Sequence, residues 1–387
     1  VRVDNTHTKY EQKLYASSNL TITEESTQGH YTISKPDETQ TYADVLANIN
    51  KRFNDFSLVA NVGASIVNNR YEDLSYRGPI REKGIPNVFN VFDLDNTKKK
   101  ARQDEWQEQT QSIFASVEVG WKSMLYLTLT GRNDWASQLA NSSTPCFFYP
   151  SVGLSGVISE MLTLPEFIDY MKVRGSFSSV GMPYPRNLTS PTYEYDEANQ
   201  QWKPKTHYPI KDLKPERTNS WELGLDMRLF KDFSLGFSWY LANTFNQTFD
   251  PKVSVSSGYS KIYLQTGYVR NSGVELSLGY GHTWNNHLHW ESNFTLSHNK
   301  NTIKDLVTSY IHPETGLPIT QNRLDVGGLS KARFILKKGG TLGDLYTQSD
   351  LKRDNNGMVE IDPSGALTTE DNLPDIKLGS VFPKANL

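Results

Sequence analysis

The chain has 387 residues and is nearly neutral, with 40 Lys and Arg residues against 43 Asp and Glu. This balance gives no electrostatic reason to expect nucleic acid as a partner. Only 37% of the residues are hydrophobic, and no stretch approaches the roughly 20 apolar residues that a membrane helix needs. Helical membrane spans are therefore excluded. A β-barrel is not excluded, because a barrel strand is apolar on one side only.

The remaining composition is typical of a turn-rich β protein, with 20 Tyr, 17 Phe and 8 Trp beside 26 Gly and 18 Pro. The single cysteine, Cys146, has no partner for a disulfide within the chain and forms no Cys-x-x-Cys spacing. Residues 1–4 lack the basic and apolar pattern of a secretory signal. We therefore expect the sequence to begin within a longer protein.

Apolar and polar residues alternate along much of the chain, which predicts β-strands with two different faces. The clearest cases are residues 124–133 and 221–230, where leucines alternate with Thr, Gly and charged residues. The same period predicts strands over residues 56–66, 113–119, 152–158, 171–177, 233–239, 274–280 and 290–296. The period alone leaves two folds open, a barrel and a soluble β-sandwich.

The links between the predicted strands alternate between short and long. The short series comprises residues 51–54, 121–123, 231–232 and 284–286, together with a helix-like link at 159–169. The long series comprises residues 26–40, 69–106, 134–147, 181–217, 246–267 and 300–340. Short turns at one rim and long loops at the other are typical of outer-membrane barrels. We therefore expect the short links to be periplasmic and the long links to be extracellular.

A barrel also predicts which side chains face lipid. On this view the lipid-facing residues include Leu125, Leu127, Leu129, Leu223, Leu225, Leu235 and Phe237. These positions alternate strictly with Thr, Ser, Gly and charged residues, which would face the lumen.

Several short motifs occur in a fixed order along residues 85–387. Residues 215–224 read Pro-Glu-Arg-Thr-Asn-Ser-Trp-Glu-Leu-Gly, and residues 271–275 read Asn-Ser-Gly-Val-Glu. Before them come Arg-Asn-Asp at 132–134 and Tyr-Pro-Ser at 149–151. Together these motifs resemble the SusC/RagA family of TonB-dependent outer-membrane transporters. Residues 135–137 depart from the small Gly-Ser-Ser run of that family.

The resemblance implies an all-β fold, namely an antiparallel transmembrane β-barrel of about 22 strands around an N-terminal plug. We expect residues 1–387 to be one partial barrel domain, without the plug and the final strands. The implied function is active import of an oligomeric nutrient, with a glycan favoured and a peptide as the alternative. The implied partners are a SusD-like lipoprotein and TonB, and the implied location is the outer membrane of a Bacteroidota-type Gram-negative bacterium.

Chemistry-bearing motifs are few. No nucleophile elbow, phosphate-binding loop, dinucleotide fingerprint or zinc-protease motif occurs, so we interpret the protein as a non-enzyme without a cofactor. His282, His287 and His289 cluster around one turn, and we interpret them as rim histidines rather than as a metal site. Residues 350–362 carry aspartates at turn positions but fail the EF-hand spacing, which favours a surface turn over a calcium loop. The competing function from another class is a soluble carbohydrate-binding β-sandwich.

The long link at 181–217 is the leading candidate for substrate contact. Its aromatic residues are interleaved with prolines, which stiffen a loop and lower the cost of ordering it on binding. The candidate substrate-binding residues there are Trp202, Tyr193, Tyr195 and Tyr208, because flat rings stack on sugars or peptide side chains. Arg132, Asp134 and Trp135, at the end of the 124–133 strand, are the next candidates. Packing of the loop on itself is the alternative interpretation.

Overall fold

The computed structural model describes most of the chain. The described residues are 1–15, 28–183, 186, 193–196, 201–204, 207–208, 214–249, 261–262, 264–285, 288–311, 318–329 and 331–381. Among them, no helix has both the length and the apolar character needed to cross a membrane. The chain divides into two compact units: unit 1 comprises residues 1–47, 62–113 and 134–137, and unit 2 comprises residues 48–61, 114–133 and 138–387.

The described elements are almost entirely strands. They are β1 (Arg2–His7), β2 (Tyr10–Tyr15), β3 (Gly29–Phe53), β4 (Phe56–Pro79), β5 (Lys100–Trp121), β6 (Leu125–Ala136), β7 (Cys146–Val157), β8 (Ile168–Met182), β9 (Tyr193–Asp196), β10 (Gln201–Pro204), β11 (His207–Tyr208), β12 (Glu216–Leu229), β13 (Phe233–Phe249), β14 (Lys261–Ile262), β15 (Leu264–Asn285), β16 (Leu288–Asp305), β17 (Val307–Ile311), β18 (Pro318–Gln321), β19 (Arg323–Gly328), β20 (Arg333–Lys337), β21 (Asp344–Thr347), β22 (Asp350–Leu351), β23 (Thr369–Glu370) and β24 (Ile376–Ser380). The helical elements are α1 (Ile158–Met161) and two 3₁₀ turns, Val91–Asp93 and Ser137–Leu139.

The long strands form one sheet that follows chain order. The hydrogen-bonded order is β1-β3-β4-β5-β6-β7-β8-β12-β13-β15-β16, and β2 also pairs with β3. The pairs of β7 with β8, β8 with β12, β12 with β13, β13 with β15 and β15 with β16 are all antiparallel. The predicted all-β antiparallel fold is confirmed, and each predicted strand lies within an observed one apart from end residues.

Tight turns close the hairpins at the predicted short links. Between β12 and β13, Phe230 and Lys231 adopt the left-handed conformation (φ 53° and 63°), and the Lys231 amide donates to Asp169 Oδ2 at 2.5 Å. Asn54, between β3 and β4, and Lys122, between β5 and β6, are also left-handed (φ 50° and 51°). Such turns match the twist of the flanking strands. The predicted helix-like link at 159–169 contains only the single turn of α1.

The long links at 26–40, 69–106 and 300–340 were predicted too long. Strand β3 already begins at Gly29, β4 continues to Pro79, and β5 begins at Lys100. The segment 300–340 contains the end of β16 and four further strands, β17 to β20. A strand segment that meets water on both faces loses the apolar half of the period-2 signal.

Two faces of opposite character run through the sheet of unit 2. Register places Val152, Phe177, Trp221 and Leu241 side by side across four strands. The next row along the strands on that apolar face is Leu154, Gly175, Leu223, Trp239 and Val274. Side chains alternate along a strand, so the residues between these rows form the opposite face.

The apolar face is exposed on the chain itself. Leu223 is 56% exposed, Leu129 47% and Phe237 39%, all three among the residues predicted to face lipid. Leu127 is 38% exposed, and Leu125, Leu225 and Leu235 are partly exposed. Exposed apolar surface of this extent marks a face covered by something other than water.

Aromatic rings line the short-turn end of this apolar face. Phe167 stacks on Phe230 (5.5 Å between ring centroids), and Phe233 packs against Tyr280 (4.8 Å). Farther along the same edge, the ring of Trp284 lies 4.7 Å from that of His282. An aromatic row at the end of an apolar belt is typical of the girdle at a membrane interface.

The C-terminal part of unit 2 builds a separate four-stranded sheet in the order β19-β20-β21-β24. Leu324 and Leu336 from this sheet form a buried cluster with Val269, Ile303 and Leu306. Ile303 lies near the end of β16, and Leu306 directly follows that strand. Backbone hydrogen bonds join Ile303 to Gly339 and Gly340 at 2.8 Å. The small sheet is thus fixed to the long-loop ends of β15 and β16.

The core of unit 1 lies beneath the link between β4 and β5. Ile80, Leu94 and Tyr31 are 0%, 1% and 4% exposed. Ile80 bridges Leu94 and donates its amide to the Gly29 carbonyl at 2.9 Å. The link at 80–99 is therefore an ordered cap of unit 1.

Candidate functional site

The polar face of the unit 2 sheet carries a charged cluster. Arg174 on β8 donates from Nη1 to Asp226 Oδ2 (3.0 Å), and from Nη2 to Ser238 Oγ (2.7 Å) and Glu222 Oε1 (3.4 Å). The Arg174 side chain lies flat over Gly224, where any Cβ would collide with it. The side chains of Arg174 and Asp226 are 39% and 41% exposed. Such wetted ion pairs contribute little to stability, but they present many hydrogen-bonding groups to a polar solute.

Small residues keep this face open around the charged cluster. Gly236 lies against Ser277 Oγ, and Gly279 lies against Ser234 Oγ, so that a Cβ at either glycine would displace a hydroxyl. On β16 the Asn299 side chain accepts a hydrogen bond from the Tyr240 hydroxyl at 3.2 Å. The face is therefore shallow, polar and rich in donors and acceptors.

A stacked aromatic pair lies in unit 1. The rings of Tyr71 on β4 and Trp106 on β5 are 5.3 Å apart and nearly parallel, with 12° between their planes. Tyr71 lies about 15 residues along β4 from its first residue, Phe56, whereas a barrel strand spans a bilayer with about 9–11 residues. The pair is thus a candidate stacking platform outside the bilayer.

Carboxylates surround this platform. Burial raises the pKa of the Tyr71 hydroxyl, and the negative charges of Asp73, Asp104 and Glu38 raise it further. Asp73 is fixed by the Ser34 hydroxyl, which donates to its Oδ1 at 2.8 Å. An aromatic face flanked by carboxylate acceptors suits a polyhydroxylated ring, which stacks on one side and donates hydrogen bonds at its edge.

Sequence reasoning missed the Tyr71–Trp106 pair because both residues fell at or within the link predicted at 69–106. A weaker signal was present. Tyr71 and Asp73, like Asp104 and Trp106, are spaced by two residues and therefore share a strand face. If aromatic and acidic residues at every second position count as a strand signal, as apolar residues do, the predicted strands extend to include both pairs.

Of the predicted loop residues, Trp202 is the one whose side chain is described, and it is 69% exposed. It lies on β10 directly opposite Tyr195 on β9, and Tyr193 lies opposite Pro204 in the same antiparallel pair. Tyr208 lies on β11, which pairs in parallel with β14 from the next long link. The side chains of Tyr193, Tyr195 and Tyr208 lie outside the described part of the structure.

The three candidates on β6 do not share one face. Arg132 lies with its guanidinium 5.7 Å from the centre of the Phe114 ring. Asp134 is 8% exposed, and alternation puts it on the same face of β6 as Arg132. Trp135 lies on the opposite face, in a groove of unit 1 with Val45 and Ile113 among its lining residues.

The histidines and aspartates weighed as metal ligands have other partners. His282 Nδ1 lies 2.7 Å from Asp232 Oδ2, and His289 Nδ1 lies 2.8 Å from Thr283 Oγ1, while His287 lies outside the described residues. Within the described ranges, no group of three His, Cys, Asp or Glu side chains could hold a metal ion.

The aspartates at 354 and 362 stabilise tight turns. Asp354 Oδ1 accepts the amides of Asn356 and Met358 at 2.9 Å. Asp362 Oδ1 accepts the amides of Ser364 and Ala366 at 2.8 and 2.9 Å. Both carboxylates are used as turn caps, which agrees with the surface-turn interpretation.

The chain is similar to known proteins in sequence and in fold. A family model described as "TonB dependent receptor-like, beta-barrel" matches residues 2–362. TonB-dependent receptor P39 of Formosa agariphila is 23% identical over 339 residues, an alignment that covers 84% of this chain and 30% of that protein. TonB-dependent receptor P26 of the same organism is 26% identical over 226 residues, covering 56% of this chain and 23% of that protein.

Solved structures share the fold. A structure of the RagAB peptide transporter matches with a TM-score of 0.72 at 16% identity, covering 99% of this chain and 42% of that chain. The RagAB peptide importer in its "closed-closed" state matches with a TM-score of 0.70 at 16% identity, with the same coverage. This chain therefore spans less than a third of the curated relatives and about two fifths of the solved chains.

Proposed function

Since this chain belongs to the TonB dependent receptor-like, beta-barrel family, we propose that it is part of an importer that actively takes up an oligomeric nutrient. The family consists of receptors and transporters, and its barrels lie in the outer membrane of Gram-negative bacteria. Membership of a barrel family excludes the soluble β-sandwich. The two Formosa relatives support a Bacteroidota source.

One observation carries the proposal, namely the opposite character of the two faces of the unit 2 sheet. Leu223 and its apolar neighbours would face lipid, and the aromatic row at Phe230 and Phe233 would mark the membrane interface. The Arg174 cluster on the other face would line a water-filled path. A polar solute crossing the barrel exchanges hydrogen bonds with water for hydrogen bonds with this wall.

The alternation of turn lengths supports a sidedness for this barrel. The short turns, such as 230–232, would be periplasmic, and the long links would be extracellular. Cysteine labelling of intact cells measures this directly. A membrane-impermeant reagent should modify a cysteine at position 200 and leave one at position 232 unmodified, and the reverse would invert the proposed path.

Energy coupling and capture would come from partners. The SusC/RagA-like motifs support a plug driven by TonB and a SusD-like lipoprotein that covers the mouth. Co-purification of the complete protein with a surface lipoprotein measures the second of these partners. Loss of uptake in a strain without TonB measures the first.

We favour a glycan as the nutrient. The stack of Tyr71 on Trp106, with Asp73, Asp104 and Glu38 around it, has the groups that hold a sugar ring. A peptide is the runner-up, and RagAB, which shares the fold, is a peptide transporter. The two substrates differ in what they need: a sugar needs the flat ring and the acceptors, whereas a peptide backbone needs donors and acceptors in equal number.

Uptake in cells that carry the complete transporter tests the proposal. Trp106→Ala should lower uptake of the nutrient about fivefold, because a stacking ring contributes on the order of 1 kcal/mol beyond its buried area. Trp121→Ala, on the same strand at the short-turn end, is the matched control. Growth should depend on the transporter with an oligosaccharide as the limiting nutrient. If growth depends on the transporter only when peptides are limiting, the nutrient is a peptide and not a glycan. If growth depends on the transporter with neither nutrient, the proposed import function is wrong.

A further inference from the structure

A groove lies on the apolar face of the unit 2 sheet. Its volume is about 440 Å³, and its apolar walls are the side chains of Val152, Leu154, Phe177, Trp221, Leu223 and Trp239. Register puts Gly175 on β8 between Leu154 and Leu223, so the floor of the groove is a residue without a side chain. The rings of Phe177 and Trp221, 4.7 Å apart, close its long-loop end.

The groove exists because of the glycine. A Cβ at position 175 would approach Leu223 Cδ2 to 3.2 Å, so any larger side chain would fill the space between the neighbouring strands. Leu154 and Leu223 are 53% and 56% exposed and form its two rims. A flexible hydrocarbon chain fits a cleft with such walls, since transfer of each methylene group from water to an apolar surface is favourable.

A polar row borders the apolar face on its long-loop side. The register aligns Ser179, Asn219, Asn243 and Arg270 across β8, β12, β13 and β15. On the same face, this row is next to the row of Phe177 and Trp221, two residues nearer to the long loops. Ser179 donates to Asn219 Oδ1 at 2.7 Å, and Arg270 Nε donates to Asn243 Oδ1 at 2.8 Å. This row is where the apolar surface of unit 2 gives way to hydrogen-bonding groups.

Two arginines, Arg217 and Arg270, lie at this border and have neutral hydrogen-bond partners among the described residues. Arg217, on the groove's own strand β12, donates to the Phe148 carbonyl at 3.0 Å. Arg270 donates to the Asn243 amide oxygen and, at 2.6 Å, to the Tyr268 hydroxyl. All of these acceptors are neutral, and no carboxylate in the described ranges forms an ion pair with either guanidinium. The border of the apolar face is therefore cationic.

We propose that this face binds one anionic membrane lipid, with an acyl chain in the Gly175 groove and the headgroup phosphate on Arg217, flanked by Arg270. Arg217 lies four residues from Trp221 on the same face, or about 13 Å along the strand, which is the order of the distance from a headgroup to the middle of its acyl chain. Guanidinium groups bind phosphate oxygens in paired, charge-assisted hydrogen bonds. The lipid would be a fixed part of the outer surface and not cargo.

Native mass spectrometry of the complete transporter tests this inference. The protein is stripped of lipid in detergent and then mixed with phosphatidylglycerol, or with phosphatidylcholine of the same acyl chains. The wild type should retain one phosphatidylglycerol in preference to phosphatidylcholine. Gly175→Leu fills the space for the acyl chain, and Arg217→Gln removes a charge-assisted hydrogen bond to the phosphate. Each should lower retention about tenfold.

Matched variants separate binding from folding and from total charge. Gly153→Leu adds the same bulk on the opposite face, where a Cβ meets nothing closer than 3.9 Å. Arg228→Gln removes the same charge from the polar face near the short turn. Both should retain the lipid as the wild type does, and heat-resistant migration on a gel should show that all four variants fold. If Gly175→Leu fails to fold, Arg217→Gln alone decides.

Three results would overturn the inference. The first is equal loss of lipid in Gly175→Leu and Gly153→Leu. The second is equal retention of the two lipids by the wild type, which would make the arginines irrelevant. The third is a dimer that Gly175→Leu dissociates, which would make a second copy of the chain the occupant of the groove.

Discussion

The large sheet, which includes β6, β8, β12, β13, β15 and β16, and the small sheet of β19, β20, β21 and β24 differ in how far their apolar side chains are exposed. In the first, Leu223, Phe294 and Leu278 are 56%, 48% and 41% exposed on one continuous face. In the second, Ile335 and Leu336 are 1% and 3% exposed. The small sheet is suited to an aqueous environment, in which burial of apolar surface stabilises the fold. The exposed apolar face of the large sheet is suited to an apolar environment.

Charged groups show the same division. In the small sheet, Asp344 is fully buried and accepts from Lys377 Nζ at 2.6 Å. On the polar face of the large sheet, the Arg174 cluster remains about 40% exposed. One region therefore uses charges to fix its structure, and the other presents them to its surroundings. Exposure of a side chain has to be interpreted against the solvent that its region meets.

Leu127→Arg is expected to have the largest effect of three variants that test this comparison. Leu127 is 38% exposed on the apolar face, and a charge there should cost roughly 2–4 kcal/mol near the bilayer midplane. Thr128→Arg, one residue along β6 on the polar face, should be mild, because Glu118 lies beside it. Urea unfolding in lipid vesicles measures both. Equal costs would mean that the two faces meet the same solvent.

Asp375→Asn tests the water-adapted region. Arg323 binds Asp375 through Nε and Nη2 (2.7 and 3.0 Å), and Lys337 adds a contact at 2.9 Å. The hydrogen bonds from Arg323, and then those from Lys337, lower the pKa of Asp375 to about 2. Because the folded pKa lies below the unfolded value, the stabilisation is fully present above about pH 4 and is lost as the pH falls towards 2.

Hydrogen exchange of the amides in β20, β21 and β24 measures this effect. Asp375→Asn should lower the free energy of opening by roughly 2 kcal/mol at pH 7, and the difference from the wild type should shrink as the pH falls. Asp371→Asn is the control, because its ion pair with Lys331 is more than half exposed. A pH-independent difference would mean that packing, and not charge, holds this sheet.

Trp202→Ala is expected to have the smallest effect. It tests whether an exposed aromatic side chain in the long link contributes to uptake. Trp202 is 69% exposed on the β9–β10 pair, whereas Trp290, 57% exposed, lies near the aromatic row at the short-turn end. Loss of a stacking ring at a binding surface should weaken uptake about fivefold. Trp290→Ala should leave uptake unchanged. If Trp202→Ala, Tyr193→Ala and Tyr195→Ala are all silent, the loop packs on itself.

The strands that cross the apolar belt could be predicted because two solvents impose a period of two on them. Leu125 to Leu129 and Trp221 to Leu229 lie in strands β6 and β12 as expected. The ends of β3, β4 and β5 next to the long links could not be predicted, because both faces there meet water and the period of two disappears. The Tyr71–Trp106 pair was lost for the same reason. The period of two also places Trp135 and Asp134 on opposite faces of β6.

By itself the sequence determined the family, the antiparallel hairpin order and the identity of the apolar face, since each depends on local alternation, on turn lengths or on short motifs. Tertiary structure decided which distant residues meet. The groove over Gly175 depends on the register of β7, β8 and β12, and the Arg323–Asp375 pair joins residues on different elements of the small sheet. Such contacts depend on pairing between segments far apart in the chain, and a period of two carries no information about which segments pair.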